Sequence, residues 1–352
     1  MSKKFFLIYS NHTNKSTTNN FIEYFEEFFK PYKIILIDKI QVNENNIIID
    51  EFTSDQFINE IKSKVKKFKK TKIILVFTEY FNHNGFKVFN NFDLNYKKLI
   101  LIQLIMFFTS TLFFIYKIFF KPLNKFNLHN SKKISNQNDS IMKKLLKIYT
   151  SKFIVNYKYF KKRYQGFMKV KSLIDSYLIW NEEQKQNLIQ NGIDSNKIIS
   201  IFPYVGQISF KNKHGISISG EVTEYRKELI NKFRKKIFIS NNFQKFLKED
   251  FYYKDEFFTY SLNPKKEYNW TYPSIFRYLL SINMNEIPII NDNFNCAITK
   301  YLTLKLDEDI TIEQINNKNY IITAYEKINL KITKYNDQIY HPNKKIFNKH
   351  FF

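Results

Sequence analysis

The run KIILVFT, residues 72–78, sets five apolar residues in a row behind a lysine. So short a run, with no polar alternation, is the pattern of a strand buried on both faces, as in parallel sheets. Two upstream stretches repeat it, KFFLIYS at 4–10 and KIILID at 33–38. Between them the spacing turns helical. Phe21–Phe29 repeats Phe and Tyr at helical intervals and stops before Pro31. Ser54 stands where a helix running to about Phe68 needs its cap, with Phe57, Ile58, Ile61 and Val65 on one face. Asn11–Asn20 reads as a polar loop. The first hundred residues therefore read β-α-β-α-β, which implies a parallel sheet covered on both sides.

The alternation resumes downstream. DSYLIW, Asp175–Trp180, reads as a strand, and Asn181 caps a helix closed by Gly192. Strands are expected at Lys197–Phe202, Gly215–Ser219, Lys236–Ser240, Phe257–Leu262 and Ile287–Asn291. Helices are expected at Thr223–Lys235, Phe243–Lys248 and Pro273–Asn283. Tyr320–Tyr335 reads equally as a helix crossing back to the first unit or as strands. The expected architecture is α/β: two Rossmann-like α/β/α domains facing a cleft, 1–174 and 175–300, with 301–352 as a further region. Ligands of such sheets sit beyond the carboxyl ends of the strands.

Composition narrows the class. The chain has 352 residues, 44% hydrophobic, which excludes wholesale disorder. Six glycines provide neither a GxGxxG nor a GxxxxGK[ST] motif, and Cys296 alone excludes a disulfide framework or a CxxC zinc site. Phe5–Tyr9 is too short an apolar run for a secretory signal, so the cytoplasm is the expected compartment. Lys and Arg number 56 against 32 Asp and Glu, a net charge of +24. That charge favours an anionic partner: nucleic acid, an acidic membrane face or a phosphorylated ligand. It also has a compositional source, since Lys, Asn, Ile, Phe and Tyr are the residues of AT-rich codons. No zinc-finger, RNP-like or KH-like signature is present, so nucleic acid is not the expected partner.

Leu99–Phe120 breaks the alternation. It is uncharged up to Lys117 and about as long as a membrane span. A span would divide the two halves between compartments. The expectation is a helix docked into one leaflet of the inner membrane face, through Leu99, Ile102, Met106, Phe107, Phe113 and Phe114, with Lys117 and Lys121 at the lipid headgroups. A buried core helix and a true span remain the alternatives.

Four blocks carry a resemblance. They are DSYLIWNEEQKQNLIQNGIDSNKIISIFPYVG (175–206), ISGEVTEYRKELI (218–230), FFTYSLNPKKEYNWTYPSIFRYLLSINMNEIPII (257–290) and, more faintly, ILVFTEYFN (74–82). Their order resembles that of nucleotide-sugar glycosyltransferases of the GT-B fold, over most of 175–291 and in outline over 1–98. The resemblance implies transfer of a sugar from a nucleotide-diphosphate donor to a lipid-linked or cell-surface glycan acceptor, with no metal and no cofactor beyond the nucleotide-sugar co-substrate.

It also implies a site. The leaving diphosphate needs cationic side chains and helix N-termini. Arg226 follows Gly220, Thr223 and Tyr225, and Arg277 follows Tyr272, Pro273 and Ser274. These are the expected donor contacts, with Tyr260 or Tyr272 stacking on the base. Surface ion pairs and ordinary helix caps are the alternatives for the arginines and for Thr223 and Ser274. His12, after the first strand, and Glu79, after the third, are rival bases for the acceptor hydroxyl. Pro273–Leu280 holds no glutamate, unlike the paired glutamates of many retaining members. Asp307 and Asp309 have DxD spacing, but they sit past the α/β repeat and read as an acidic turn. An inactive fold that binds a membrane or anionic polymer, and a nucleic-acid-binding protein, are the competing functions.

Overall fold

The computed structural model describes residues 4–9, 15–49, 52, 54–78, 108, 162–210, 215–218, 239–241, 259–262, 275–290, 296–311, 313–315 and 317–351. The lysine-headed runs form strands β1 (Lys4–Ile8), β2 (Lys33–Ile37) and β4 (Lys72–Val76). With β3 (Asn45–Ile49), β5 (Ser176–Ile179) and β6 (Ile198–Ser200) they make one six-stranded sheet, order β2-β1-β3-β4-β5-β6. All its pairings are parallel. A Rossmann-like α/β organisation is thus established for the first half.

Strict alternation sorts the apolar residues to two faces. Phe5, Leu7, Ile47, Ile49, Ile74, Val76 and Leu178 face one core, packed by helix α1 (Lys15–Phe29). Ile8, Ile48, Ile73, Leu75, Tyr177 and Ile179 face the other, packed by α2 (Asp55–Lys67) and by the helical run 162–170. Gly166 in that run lets it approach closely: an added Cβ would fall 1.9 Å from the Phe52 carbonyl oxygen.

Two details depart from the sequence reading. Helix α1 starts at Lys15, inside the stretch expected to be loop, and its Thr18 is fully buried. Strand β3 lies where none was expected, so the order is β-α-β-β-α-β. The chain crosses from β2 past β1 to β3 without a helix, and Asn46 makes this possible. Fully buried, it accepts from the Gln41 amide (2.7 Å) and donates to the Gln41, Glu44 and Lys72 carbonyls (2.9, 3.0 and 3.3 Å).

A second parallel sheet joins β7 (Ile216–Ile218), β8 (Ile239–Asn241), β9 (Tyr260–Leu262), β10 (Ile287–Ile290) and β11 (Leu304–Lys305). Its order, β8-β7-β9-β10-β11, repeats the second-first-third-fourth-fifth order of the first sheet. Between its strands lie α4 (Ile275–Asn283) and α5 (Ala297–Leu302), while α3 (Glu182–Gln190) joins β5 to β6. Helix α3 ends as expected at Gly192, whose φ of 77° allows the chain to reverse.

The last two helices tie the sheets together. Tyr320–Tyr335 is helical, within α6 (Lys318–Tyr335). Through Tyr325, whose hydroxyl donates to the Asn285 carbonyl (2.8 Å), α6 rests on the second sheet. Asn329 and Asn336 each exchange two hydrogen bonds with the strap 201–210 that connects the sheets, at Ile208 and Val205 respectively. A π-helical turn, 336–340, then passes into α7 (His341–Phe351), which lies on the first sheet. There Phe347 packs its ring 5.1 Å from Phe28 and 5.0 Å from Phe29.

The amino edge of the first sheet is basic. Lys4 and Lys33 are register partners, and Lys72 heads β4. Lys66, Lys67, Lys69 and Lys70 gather where α2 ends, all exposed, as its dipole favours. Among the described residues only Lys72 of this group has an acidic partner, Asp175 at 3.0 Å.

No helix among the described residues is long and apolar enough to cross a membrane. The expected docking residues Leu99, Ile102, Met106, Phe107, Phe113, Phe114, Lys117 and Lys121 lie outside the described residues.

Candidate functional site

The carboxyl edge of the first sheet is held in place by one buried side chain. Gln184 donates to the Phe77 carbonyl at the end of β4 (2.7 Å) and accepts from the Trp180 amide at the end of β5 (2.9 Å). Asn181 caps α3 by accepting from the Glu183 amide (2.8 Å). The Asn181 and Gln184 side chains on either side therefore fix the turn that carries Glu183.

Glu183 is then placed at a cost. Its Oε2 is shut off from solvent and has no hydrogen-bond partner among the described residues. Burial pushes its carboxyl above the usual carboxylate range. The Trp180 indole Nε1 is likewise enclosed without a partner. An enclosed polar atom left unmade is expensive to a fold, which makes each a candidate for a ligand contact.

The opposite wall comes from the second sheet. Phe276, in the first turn of α4, lies against Trp180 (ring centroids 5.7 Å apart), against Tyr24 of α1 (6.0 Å, stacked) and against Phe25 (6.4 Å). Cys296 stands at the head of α5, its thiol pushed up mainly by burial and in part by the charge of Glu183. In parallel sheets, a helix that follows a strand begins at the carboxyl edge. Trp180, after the carboxyl end of β5, and Phe276, at the start of the helix after β9, therefore touch at this aromatic seam.

The residues expected from sequence distribute as follows. His12, Glu79, Gly220, Thr223, Tyr225, Arg226, Tyr272, Pro273 and Ser274 lie outside the described residues. In the chain, His12 follows the carboxyl end of β1, Glu79 that of β4 and Gly220 that of β7. Arg277 is on α4, half-buried, beside Phe276. Tyr260 lies in β9 with no exposed surface. Its hydroxyl has no hydrogen-bond partner among the described residues, and burial, helped by Tyr325, pushes it up. Its ring is core rather than a face open to a nucleotide base.

Asp309 has another task. It binds Lys327 (2.5 Å), Lys331 (3.4 Å) and the Lys305 amide (2.8 Å), which fastens α6 to the turn after β11. Burial raises its carboxyl, but those partners outweigh it and hold it below the usual range. Among the described residues no three His, Cys, Asp or Glu side chains cluster as a metal site would require.

Glu183, Trp180, Phe276 and Cys296 were not singled out from sequence. Glu183 lies in the quoted 175–206 block, but as one glutamate of a polar helix start it carries no signal.

No protein-family model matches the chain, and neither curated proteins nor solved structures show a match to it.

Proposed function

We propose that the chain is a metal-independent glycosyltransferase of GT-B type, moving a sugar from a nucleotide-diphosphate donor to a lipid-linked or cell-surface glycan acceptor at the inner face of a membrane. One observation carries this reading. Two parallel sheets of matching strand order touch through Trp180, after β5, and Phe276, on the helix after β9, and the last helix returns from the second sheet to the first. Carboxyl edges are where such sheets bind ligands, so a cleft between two of them suits a two-substrate transfer. In this reading the first sheet, which β5 and β6 extend past the expected boundary at 174 to residue 200, takes the acceptor, and the second sheet takes the donor. Gly220, Thr223, Arg226, Ser274 and Arg277 are the proposed diphosphate contacts.

The test is a thermal-shift panel with UDP, GDP, ADP, dTDP and CMP. A nucleotide at a hundred times its dissociation constant stabilises by about 2.7 kcal/mol, a shift of several degrees. One nucleotide should shift the wild type and lose its effect in Arg226→Ala and in Arg277→Ala. No shift with any of them contradicts the reading.

A second reading, a catalytically inactive fold that binds an anionic polymer or membrane, is favoured by the basic amino edge. It predicts a shift with anionic vesicles and none with nucleotides.

A further inference from the structure

We infer that Glu183 is the general base of the cleft, the group that takes the proton from the acceptor hydroxyl. The inference rests on the glycosyltransferase reading and adds to it the residue that would run the chemistry.

Three observations converge on Glu183. It stands in the first turn of α3, at the carboxyl edge where the two sheets meet. Its Oε2 is enclosed and accepts no hydrogen bond among the described residues, so an incoming hydroxyl would supply what the fold withholds. Its backbone is held by the Asn181 cap and by the Gln184 bridge between β4 and β5, which fixes where its side chain starts. Trp180, three residues earlier, packs on Phe276 of the second sheet, which sets an aromatic face beside this turn.

The chemistry is a single displacement. A lone pair of the acceptor oxygen forms the new bond to the anomeric carbon. The bond from that carbon to the diphosphate oxygen breaks, and its electron pair leaves with the nucleoside diphosphate. The hydroxyl proton passes to Glu183, and from there to solvent. Nothing is oxidised or reduced, and the anomeric centre inverts.

The surrounding elements carry Cys296 at the head of α5, Arg277 on α4, and Glu182 and Lys185 on α3 itself. Glu182 is exposed and lies 3.9 Å from Lys185. Burial chiefly raises the Cys296 thiol, and the charge of Glu183 adds to that rise. Burial holds the Glu183 carboxyl above the usual range. The base form is therefore lost, on acidification, at a higher pH than for an exposed glutamate.

The experiment follows hydrolysis of UDP-, GDP-, ADP- and dTDP-sugars by the full chain against pH, water serving as acceptor. Wild type, Glu183→Gln, Glu183→Asp and the exposed-neighbour control Glu182→Gln are compared, each with its nucleotide thermal shift. Glu183→Gln should lose about 10²- to 10⁴-fold in rate and lose the acidic limb of the profile, with the nucleotide shift intact. Glu183→Asp should keep that limb at reduced rate, whereas a merely structural role would leave the two variants alike. Glu182→Gln should match the wild type. A Glu183→Gln variant that binds nucleotide and hydrolyses donor with the wild-type rate and profile overturns the inference alone. A wild type that no nucleotide shifts overturns the glycosyltransferase reading, and the inference falls with it.

Discussion

At the amino edge of the first sheet, Lys4, Lys33 and Lys72 stand in water at the heads of their strands. At the carboxyl edge of the same sheet, Trp180 and a carboxylate oxygen of Glu183 are packed away from solvent. The amino edge leaves its charges solvated, and substitutions there cost little. The carboxyl edge encloses two polar atoms that have no hydrogen-bond partner among the described residues, an arrangement that burial and packing elsewhere must sustain. A net charge of +24 thus says little about the site, because the informative charge is a negative one.

The difference can be broken from either side. The largest effect is expected at Phe347, fully buried among Phe5, Phe28 and Phe29, because α7 is what returns the chain to the first sheet. Phe347→Ala should cost about 3–5 kcal/mol in urea unfolding. Trp180→Ala, 3% exposed, should cost about 3 kcal/mol and loosen the seam, seen as faster proteolysis of the strap 201–210. Asn336→Ala leaves the Val205 amide and carbonyl without their side-chain partner and should cost about 2 kcal/mol by the same measure.

Glu183→Gln should act in the opposite direction. Its carboxyl is raised in the folded state, so the stability linked to it is full below the unfolded-state value and is lost as pH rises through the folded one. The variant should therefore be more stable than wild type at pH 7. The gap should close below about pH 4, where both states are protonated. Equal stability at pH 7 would mean the carboxylate is solvated. Smallest of all, Lys69→Gln with Lys70→Gln should change stability by less than about 0.5 kcal/mol, since both lysines are exposed.

Much of the fold was legible because its strands are continuous apolar runs set off by lysine and its helix ends carry recognisable caps. Ser54, Asn181 and Gly192 act as their residue types suggest. Strand β3 was not legible. Asn45 and Asn46 look like turn residues, and only the folded chain shows Asn46 holding a buried crossover. The first turn of helix α1 carries Ser16, Thr17 and Thr18, types that favour loops in isolation, yet packing buries Thr18. The site was less legible still. Its carboxylate oxygen is enclosed only in the folded chain, which one glutamate in a polar helix start does not announce.

The central claim is that Glu183, on the first sheet, lies close enough to Cys296, at the head of α5, for its charge to act on the thiol. Cys296 is the sole cysteine of the chain, so its alkylation by iodoacetamide reports one site. The measurement is the pH dependence of that rate in wild type and in Glu183→Gln. The negative charge of Glu183 helps to raise the thiol, so removing it should move the profile to lower pH. Superimposable profiles would contradict the account, because they would place Glu183 out of electrostatic reach of the second sheet.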